Sequence, residues 1–564
     1  MSQIEKTGKS FVREAVILTV ANFAVKIIGV VFKIPLTNIL GTSIGIFTAA
    51  YSIYAMLFML STSGLPIAVS RLVAASNEQG RGREARKISN ISLALFGIVG
   101  FIFMVLLIAF APMIAKSSGH AESALAMRVI APSLFFICVC ASVRGYFQGL
   151  RNMYPTAISQ FVEAFFKLCV GLGATVIAAK QGASVAVQAA CAISGVSVGT
   201  LLATVFILLY RSLSKRTRPN ETTSETRSTP ELVKLILIVA VPITLTSAAL
   251  YFSQFFDTVI IVNALVSSGE SEAVSETLFS AYTGLSVPIY DLLPSALVFP
   301  IATSILPAIA ASLAIKNSDR AITLTRQSIR ISGIIAVPCG AFLLVTGRSC
   351  ISLLYGADKW SVGMNMADGS IRTPLYFATG CLALLAIAVF FISIVSTTNS
   401  ILNAYGKPYL PFISVLCGIA VLIVSEIVLL RMAGIYGAPI SSVLCYAVTT
   451  VLNMYFLRRY CGVNLGLFGM FLRPFVCGVI TTGVTYAVYE GMKVLWQAVS
   501  DASVDSRLGA LCILLVSGIA MVITYCTSII LLKGIREDEV RLLPKGDKLA
   551  SLLIKKGWLK AAED

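Results

Sequence analysis

The 564-residue sequence predicts an all-α polytopic membrane protein of about 14 transmembrane helices. They are expected as two six-helix parallel-repeat lobes followed by two extra C-terminal helices. Three observations predict this class. The chain is 57% hydrophobic and only 13% charged, with a mean hydropathy of +0.87, which excludes an ordinary soluble globular protein. Apolar runs of about 20 residues recur along the whole length, without the alternation a membrane barrel needs. The two halves also echo each other: PIAVSRLVA at 66–74 and PIATSILPA at 300–308 share six residues in register. GAS at 182–184 and GAP at 437–439 form a weaker pair, each before the sixth helix of its half. A six-helix repeat returns the chain to its starting side, so the repeats are parallel about an axis along the membrane normal.

The spans centre near 24, 56, 101, 137, 168, 200, 248, 296, 337, 385, 420, 447, 481 and 521. Basic residues set their orientation. The connection 71–88 holds Arg71, Arg81, Arg83, Arg86 and Lys87, and 211–234 holds Arg211, Lys215, Arg216, Arg218, Arg227 and Lys234. Segment 316–330 and the tail from Lys533 are likewise basic, whereas 111–124 has only Lys116. Segment 263–281 has no basic residue and carries Glu270, Glu272 and Glu276. The positive-inside rule then puts both termini in the cytoplasm. The net charge of +17 is accounted for by these loops and by contact with anionic lipid, so nucleic acid is not an expected partner. The basic leader runs into a full-length span without a small-residue cleavage site, which reads as a retained first helix.

The most polar internal stretch, SLSKRTRPNETTSETRSTP at 212–230, is the expected cytoplasmic linker. The expected domains are an N-terminal lobe at 1–211, the linker, a C-terminal lobe at 231–460, two additional helices at 461–533 and a cytoplasmic tail at 534–564. That tail carries Leu542, Leu543, Leu549, Leu552, Leu553, Ile554 and Trp558, compatible with a surface amphipathic helix or a soluble end. The thirteen cysteines are scattered through apolar runs and imply no disulfide framework.

The first span, AVILTVANFAVKIIGVVFKIPLTNILG at 15–41, carries Lys26 near its middle and Lys33 farther on. An ammonium at the centre of a membrane helix costs about 2.5–3.5 kcal/mol. Asn22, Lys26, Gly29 and Lys33 share one helical stripe, which suits a wall of a cavity for an anion. The alternative is that the lysines snorkel to the headgroups. Glu163 and Lys167 stand four apart in the fifth span, in the order that favours a self-neutralising structural pair. Asp257 in the seventh span and Glu426 in the eleventh are candidate ion-coupling carboxylates, or hydrated groups near an interface. Asp291, between Pro288 and Pro294 in the eighth, lies on backbone that prolines leave partly unpaired.

Signals of catalysis are weak. Gly8-Lys9-Ser10 lacks the earlier glycine of a phosphate loop, because position 3 is Gln. His120, the single histidine, is expected in an outer loop, which argues against a histidine metal site or triad. No enzyme activity, metal or cofactor is expected, and Na+, H+ or the membrane potential remain candidates to drive a transport cycle.

Three blocks carry a resemblance: VKIIGVVFKIPLTNILG at 25–41, STSGLPIAVSRLVA at 61–74 and RGYFQGLRNMYPTAISQFVEAFFK at 144–167. Through them the chain resembles the multidrug/oligosaccharidyl-lipid/polysaccharide flippase superfamily. It is most similar to the polysaccharide biosynthesis branch that contains stage V sporulation protein B and MurJ-type lipid II flippases. The resemblance implies a MATE-like V of two six-helix lobes plus two helices, in the bacterial cytoplasmic membrane. It also implies movement of an undecaprenyl-pyrophosphate-linked sugar from the inner to the outer leaflet. Lys26 and Lys33 match the first-helix cavity cations of MurJ-type proteins, which are usually arginines. The cavity arginines of the second and eighth helices have no counterpart in YSIYAMLFML or YTGLSVPIYDLLP, which favours the sporulation-protein branch. A monomer is expected, with a lipid-linked oligosaccharide, membrane lipids and wall-synthesis or sporulation proteins as candidate partners. The competing readings are a cation-coupled multidrug exporter of the same superfamily and a non-transporting membrane scaffold.

Overall fold

A computed structural model describes residues 24–25, 27–62, 64–150, 152–213, 226–299, 301–302, 305, 309, 312–313, 317–463, 466–500, 503–532 and 534–535. Asn22 and Lys26 lie outside the described residues, as do most of the 212–230 stretch, most of 300–308 and nearly all of the tail. The chain forms two compact units, Met1–Asn263 and Ala264–Asp564. Among the described residues, ten helical segments are long and apolar enough to cross a membrane. One of these, Tyr409–Cys461, holds two helices joined by a short turn. The protein is a multipass membrane protein of all-α class.

In the first unit, α1 (27–40) turns through Gly41–Ser43 into α2 (Ile44–Thr62), and α3 (Gly64–Glu78) continues the second span. There follow α4 (Gly82–Ser117), α5 (Ala124–Gly149), α6 (Tyr154–Lys180), α7 (Val185–Leu213) and α8 (Thr229–Ser267). The connection expected over 71–88 is mostly helix, with its turn at 79–81. His120 lies in the connection between α4 and α5, as expected, and is buried there at 1% exposure.

Close helix contacts are made where glycines recur every fourth residue. A Cβ on Gly145 would meet Pro66 O at 2.8 Å, and one on Gly149 would meet Ser70 O at 2.7 Å, so α5 lies directly on α3. Gly195 and Gly199 do the same for α7: their added Cβ atoms would meet Lys167 O at 2.6 Å and Glu163 O at 2.5 Å. Between helices in lipid, such small-residue spacing replaces the hydrophobic drive with backbone-to-backbone packing. Helix α8 is tied to this unit by polar contacts. Gly64 N donates to Thr244 Oγ1 at 3.2 Å, Ser52 Oγ and Thr258 Oγ1 are 2.7 Å apart, and Asn263 Nδ2 donates to Ser117 O at 2.8 Å. The first unit thus extends past the polar 212–230 stretch and takes in most of α8.

The second unit begins with α9, which runs from Glu272–Ser280 through a π-helical turn at Ala281–Ser286 to Val287–Leu297. Its start lies well before the expected eighth span because Ser271 caps it, accepting from Val274 N. Helix α10 (Ser318–Tyr355) leads to a two-stranded hairpin, β1 (Met364–Asn365) and β2 (Ile371–Arg372). Then come α11 (Pro374–Ala404), α12 (Tyr409–Ala433), α13 (Gly437–Cys461), α14 (Leu467–Val499) and α15 (Arg507–Leu531). A buried Asn453 links three of them: its Nδ2 donates to Thr398 Oγ1 (2.9 Å) and Asn399 Oδ1 (2.8 Å), and its Oδ1 accepts from Ser414. Helix α13 stops at Gly462, whose left-handed backbone (φ 69°) lets its N–H reach Leu457 O.

Candidate functional site

The first unit gathers charge around one aromatic platform. Phe32 on α1 and Phe47 on α2 are buried at 2% and 3% exposure, with ring centroids 6.0 Å apart. Phe47 stacks on Tyr51 at 5.7 Å. Lys33 Nζ lies 5.3 Å from the Phe47 ring centre. Lys167 Nζ lies 5.1 Å from that of Phe32 and 4.8 Å from that of Tyr51. Two ammonium groups from different helices therefore share three rings.

Several local features put Lys167 there. It stands thirteen residues from either end of Tyr154–Lys180, about 20 Å of helix on each side, too deep for its stem to reach a headgroup. It also opens a π-helical turn, Lys167–Leu172, of the kind often found where a helix is bent to a task. Gly171 in that turn lets Phe32 come close, since a Cβ there would meet the Phe32 ring at 3.1 Å.

The pairing of Glu163 with Lys167 expected from their spacing is not what forms. Glu163 Oε2 instead accepts from Arg144 Nη2 at 3.0 Å, while Arg144 Nε donates to Ser159 Oγ at 2.9 Å. The Arg144 fork spans both acceptors from α5, so the carboxylate turns to the neighbouring helix instead of reaching one turn along its own. Lys33 and Lys167 make no hydrogen bond or ion pair with any described residue. A cation–π contact recovers about 0.5–2 kcal/mol, against about 2.5–3.5 kcal/mol for an ammonium at mid-membrane. The rings thus offset part of the cost and leave room for an anion to offset the rest.

The other sequence-predicted residues sit elsewhere. Asp257 is half-buried on α8, beside the Ser52–Thr258 contact. In the second unit Glu426 is fully buried on α12, whereas Asp291 is exposed in the last part of α9, after the π turn. Sequence reasoning missed Arg144, although it lies in the RGYFQG block, because a basic residue five positions from a helix end reads as an orientation signal.

The sequence matches the polysaccharide biosynthesis protein family over residues 11–313. Among curated proteins of Bacillus subtilis strain 168, it is 29% identical over 449 residues to the membrane protein YabM, covering 79% of each chain. It is 24% identical over 448 residues to stage V sporulation protein B, covering 77% of this chain and 84% of that one. It is 22% identical over 474 residues to the lipid II flippase MurJ, covering 81% and 84%. Among solved structures, an inward-facing multidrug-resistance MATE family transporter matches with TM-score 0.64 at 15% identity, over 78% of this chain and 94% of that one. The inward closed form of MurJ also matches with TM-score 0.64, at 13% identity, over 91% and 99%. These structural likenesses give the fold, and the match over 11–313, more than half of the sequence, gives the lineage: the chain belongs to the polysaccharide biosynthesis protein family.

Proposed function

We propose that the protein is a flippase that moves an undecaprenyl-pyrophosphate-linked cell-wall precursor, or a related lipid-linked oligosaccharide, from the inner to the outer leaflet by alternating access. The observation that carries this reading is a lysine, Lys33, held inside a membrane unit on the buried Phe47 ring with no anion against it among the described residues. Family membership and the likeness to a lipid II flippase and a sporulation protein support the lipid-linked substrate. In this proposal Asn22, Lys26 and Lys33 face the anionic linkage while the polyprenyl tail stays in lipid. The protein acts in the bacterial cytoplasmic membrane with both termini in the cytoplasm, as the basic connections favour. The role is transport without a bond-making step. Asp257, Glu426 and Asp291 are the carboxylates through which Na+, H+ or the membrane potential would bias the cycle.

The test quantifies lipid-linked precursor in the outer leaflet of a depletion strain complemented with wild type or with Lys26→Gln/Lys33→Gln. Loss of exposure in a well-expressed double variant supports the reading. Unchanged exposure after complete depletion, in a strain without a redundant flippase, overturns it. A second reading, a cation-coupled drug exporter, is favoured by the equal likeness to a MATE transporter. It requires a carboxylate to dominate the first unit, but Arg144 already holds Glu163 and leaves the task to Asp257. Drug efflux lost in Asp257→Asn, with precursor exposure intact, would favour it.

A further inference from the structure

We propose that Lys167, with Lys33, forms a two-cation, three-ring cradle that selects a diphosphate over a phosphate monoester. The inference rests on the flippase reading for its biological ligand, but not for its chemistry. Three observations carry it. Lys167 lies at the midpoint of α6 and opens its π turn, too deep along the helix for its stem to reach the headgroups. The one carboxylate a turn away, Glu163, is committed to Arg144 and lies on the α5 side. The Lys167 ammonium therefore rests on Phe32 and Tyr51 alone among the described residues, while Lys33 rests on Phe47, which touches both of those rings.

The chemistry follows from that arrangement. Ring faces hold a cation by their quadrupole without neutralising it, so each ammonium keeps donors for an oxyanion. Two like charges on one platform repel each other, and a ligand that brings two anionic centres relieves both at once. A diphosphate has two linked phosphoryl groups and can engage each lysine separately. A monoester concentrates its charge on one phosphoryl group, which must serve both lysines, and a zwitterionic phospholipid brings its own cation. The platform thereby sorts lipids by the charge of their linkage before any sugar is read.

The test uses the purified full-length protein and titration calorimetry with farnesyl diphosphate and farnesyl monophosphate, which share one tail. Wild type is expected to prefer the diphosphate by at least tenfold. Lys167→Gln should lose that preference, Lys167→Arg should keep most of it, and Lys493→Gln, which removes a lysine paired with Glu490 in the other unit, should behave as wild type. Inorganic pyrophosphate should displace farnesyl diphosphate, showing that the anion is read. Failure to displace it would mean that the tail alone binds, and would overturn the proposal. Equal binding of the diphosphate by wild type and Lys167→Gln would also overturn it. Should Lys167→Gln not fold, amine acylation of the wild type followed by mass spectrometry decides. Pyrophosphate, but not phosphate, must protect both Lys33 and Lys167.

Precursor exposure separates this inference from the flippase reading. If Lys167→Gln loses diphosphate binding while depletion of the protein leaves exposure unchanged, the cradle stands and the flippase reading falls. If depletion abolishes exposure but Lys167→Gln binds and flips normally, the reverse holds.

Discussion

Replacing Arg144 by Met tests the electrostatic logic of the first unit most directly. The Arg144 side chain is 11% exposed and Glu163 24%, and the guanidinium bridges Glu163 to Ser159. Removing one partner of a fully buried pair costs about 3–5 kcal/mol, because the other charge stays buried. Glu163 keeps some access to solvent and has Lys167 one turn along as a substitute partner. The expected loss is therefore smaller, about 1–3 kcal/mol. Adding Glu163→Gln removes the stranded carboxylate and should return about 1–2 kcal/mol, a coupling energy typical of contacting groups. Unfolding of the four proteins of this cycle in one detergent measures it. Function should follow the same cycle: Glu163 released from Arg144 turns to Lys167, so diphosphate affinity falls in Arg144→Met and recovers in the double variant. Effects that add within about 0.5 kcal/mol, with diphosphate affinity unchanged throughout, would show that the pair does not shield Lys167 and would refute the reasoning.

Two further outcomes follow from geometry elsewhere. Gly195→Ala places a methyl group 2.5 Å from Gly171 N and 2.6 Å from Lys167 O, all backbone, so α6 and α7 must separate. A loss of about 1–3 kcal/mol is expected in unfolding measurements, together with weaker diphosphate binding as Lys167 moves off the rings. At the connection between α14 and α15, hydrogen bonds from Arg348 hold the Asp505 carboxyl below its usual range. A depressed folded pKa contributes stability above the unfolded value of about 3.9, and that contribution is lost as pH falls through the lower folded value. Because the pair is half-exposed the effect is under about 1 kcal/mol, visible as an acid-side drop in thermal stability below about pH 4 that Asp505→Asn abolishes.

The helical membrane class was legible because hydropathy and run length are local properties, and ten described segments carry them. The fifth to seventh and the ninth spans fall close to their expected centres for the same reason. The eighth does not, because its helix starts at Glu272 and passes through a π turn at Ala281–Ser286 that no local composition marks. In the site, the charge of Lys33 was legible and its aromatic floor was not, since Phe47 reaches it only after the turn at Gly41–Ser43. The partner of Glu163 was misread because spacing along one helix competes with a neighbour nineteen residues away, which is invisible until α5 and α6 pack. The recurrence of Gly145 with Gly149, and of Gly195 with Gly199, is the signal that could have announced that packing.

A structural account of these charges would predict neutrality, and the middles of α1, α2, α5 and α6 are not neutral. Away from their ends, α1, α2, α5 and α6 present Lys33, Arg144 and Lys167 against one carboxylate, Glu163, among the described residues. In the second unit Lys493 has an acid within reach, Glu490 at 2.8 Å. On these helices the carboxylate goes to the arginine, whose planar fork fits carboxylate and hydroxyl together. The two lysines that remain are compact, strongly hydrated charges that lose most by leaving water and regain most from a phosphoryl oxygen. Lysine at both positions also avoids a rigid fork that would fix one ligand geometry. A transporter must release what it binds, and point charges on rings permit a diphosphate to arrive and leave without repacking the helices that hold them.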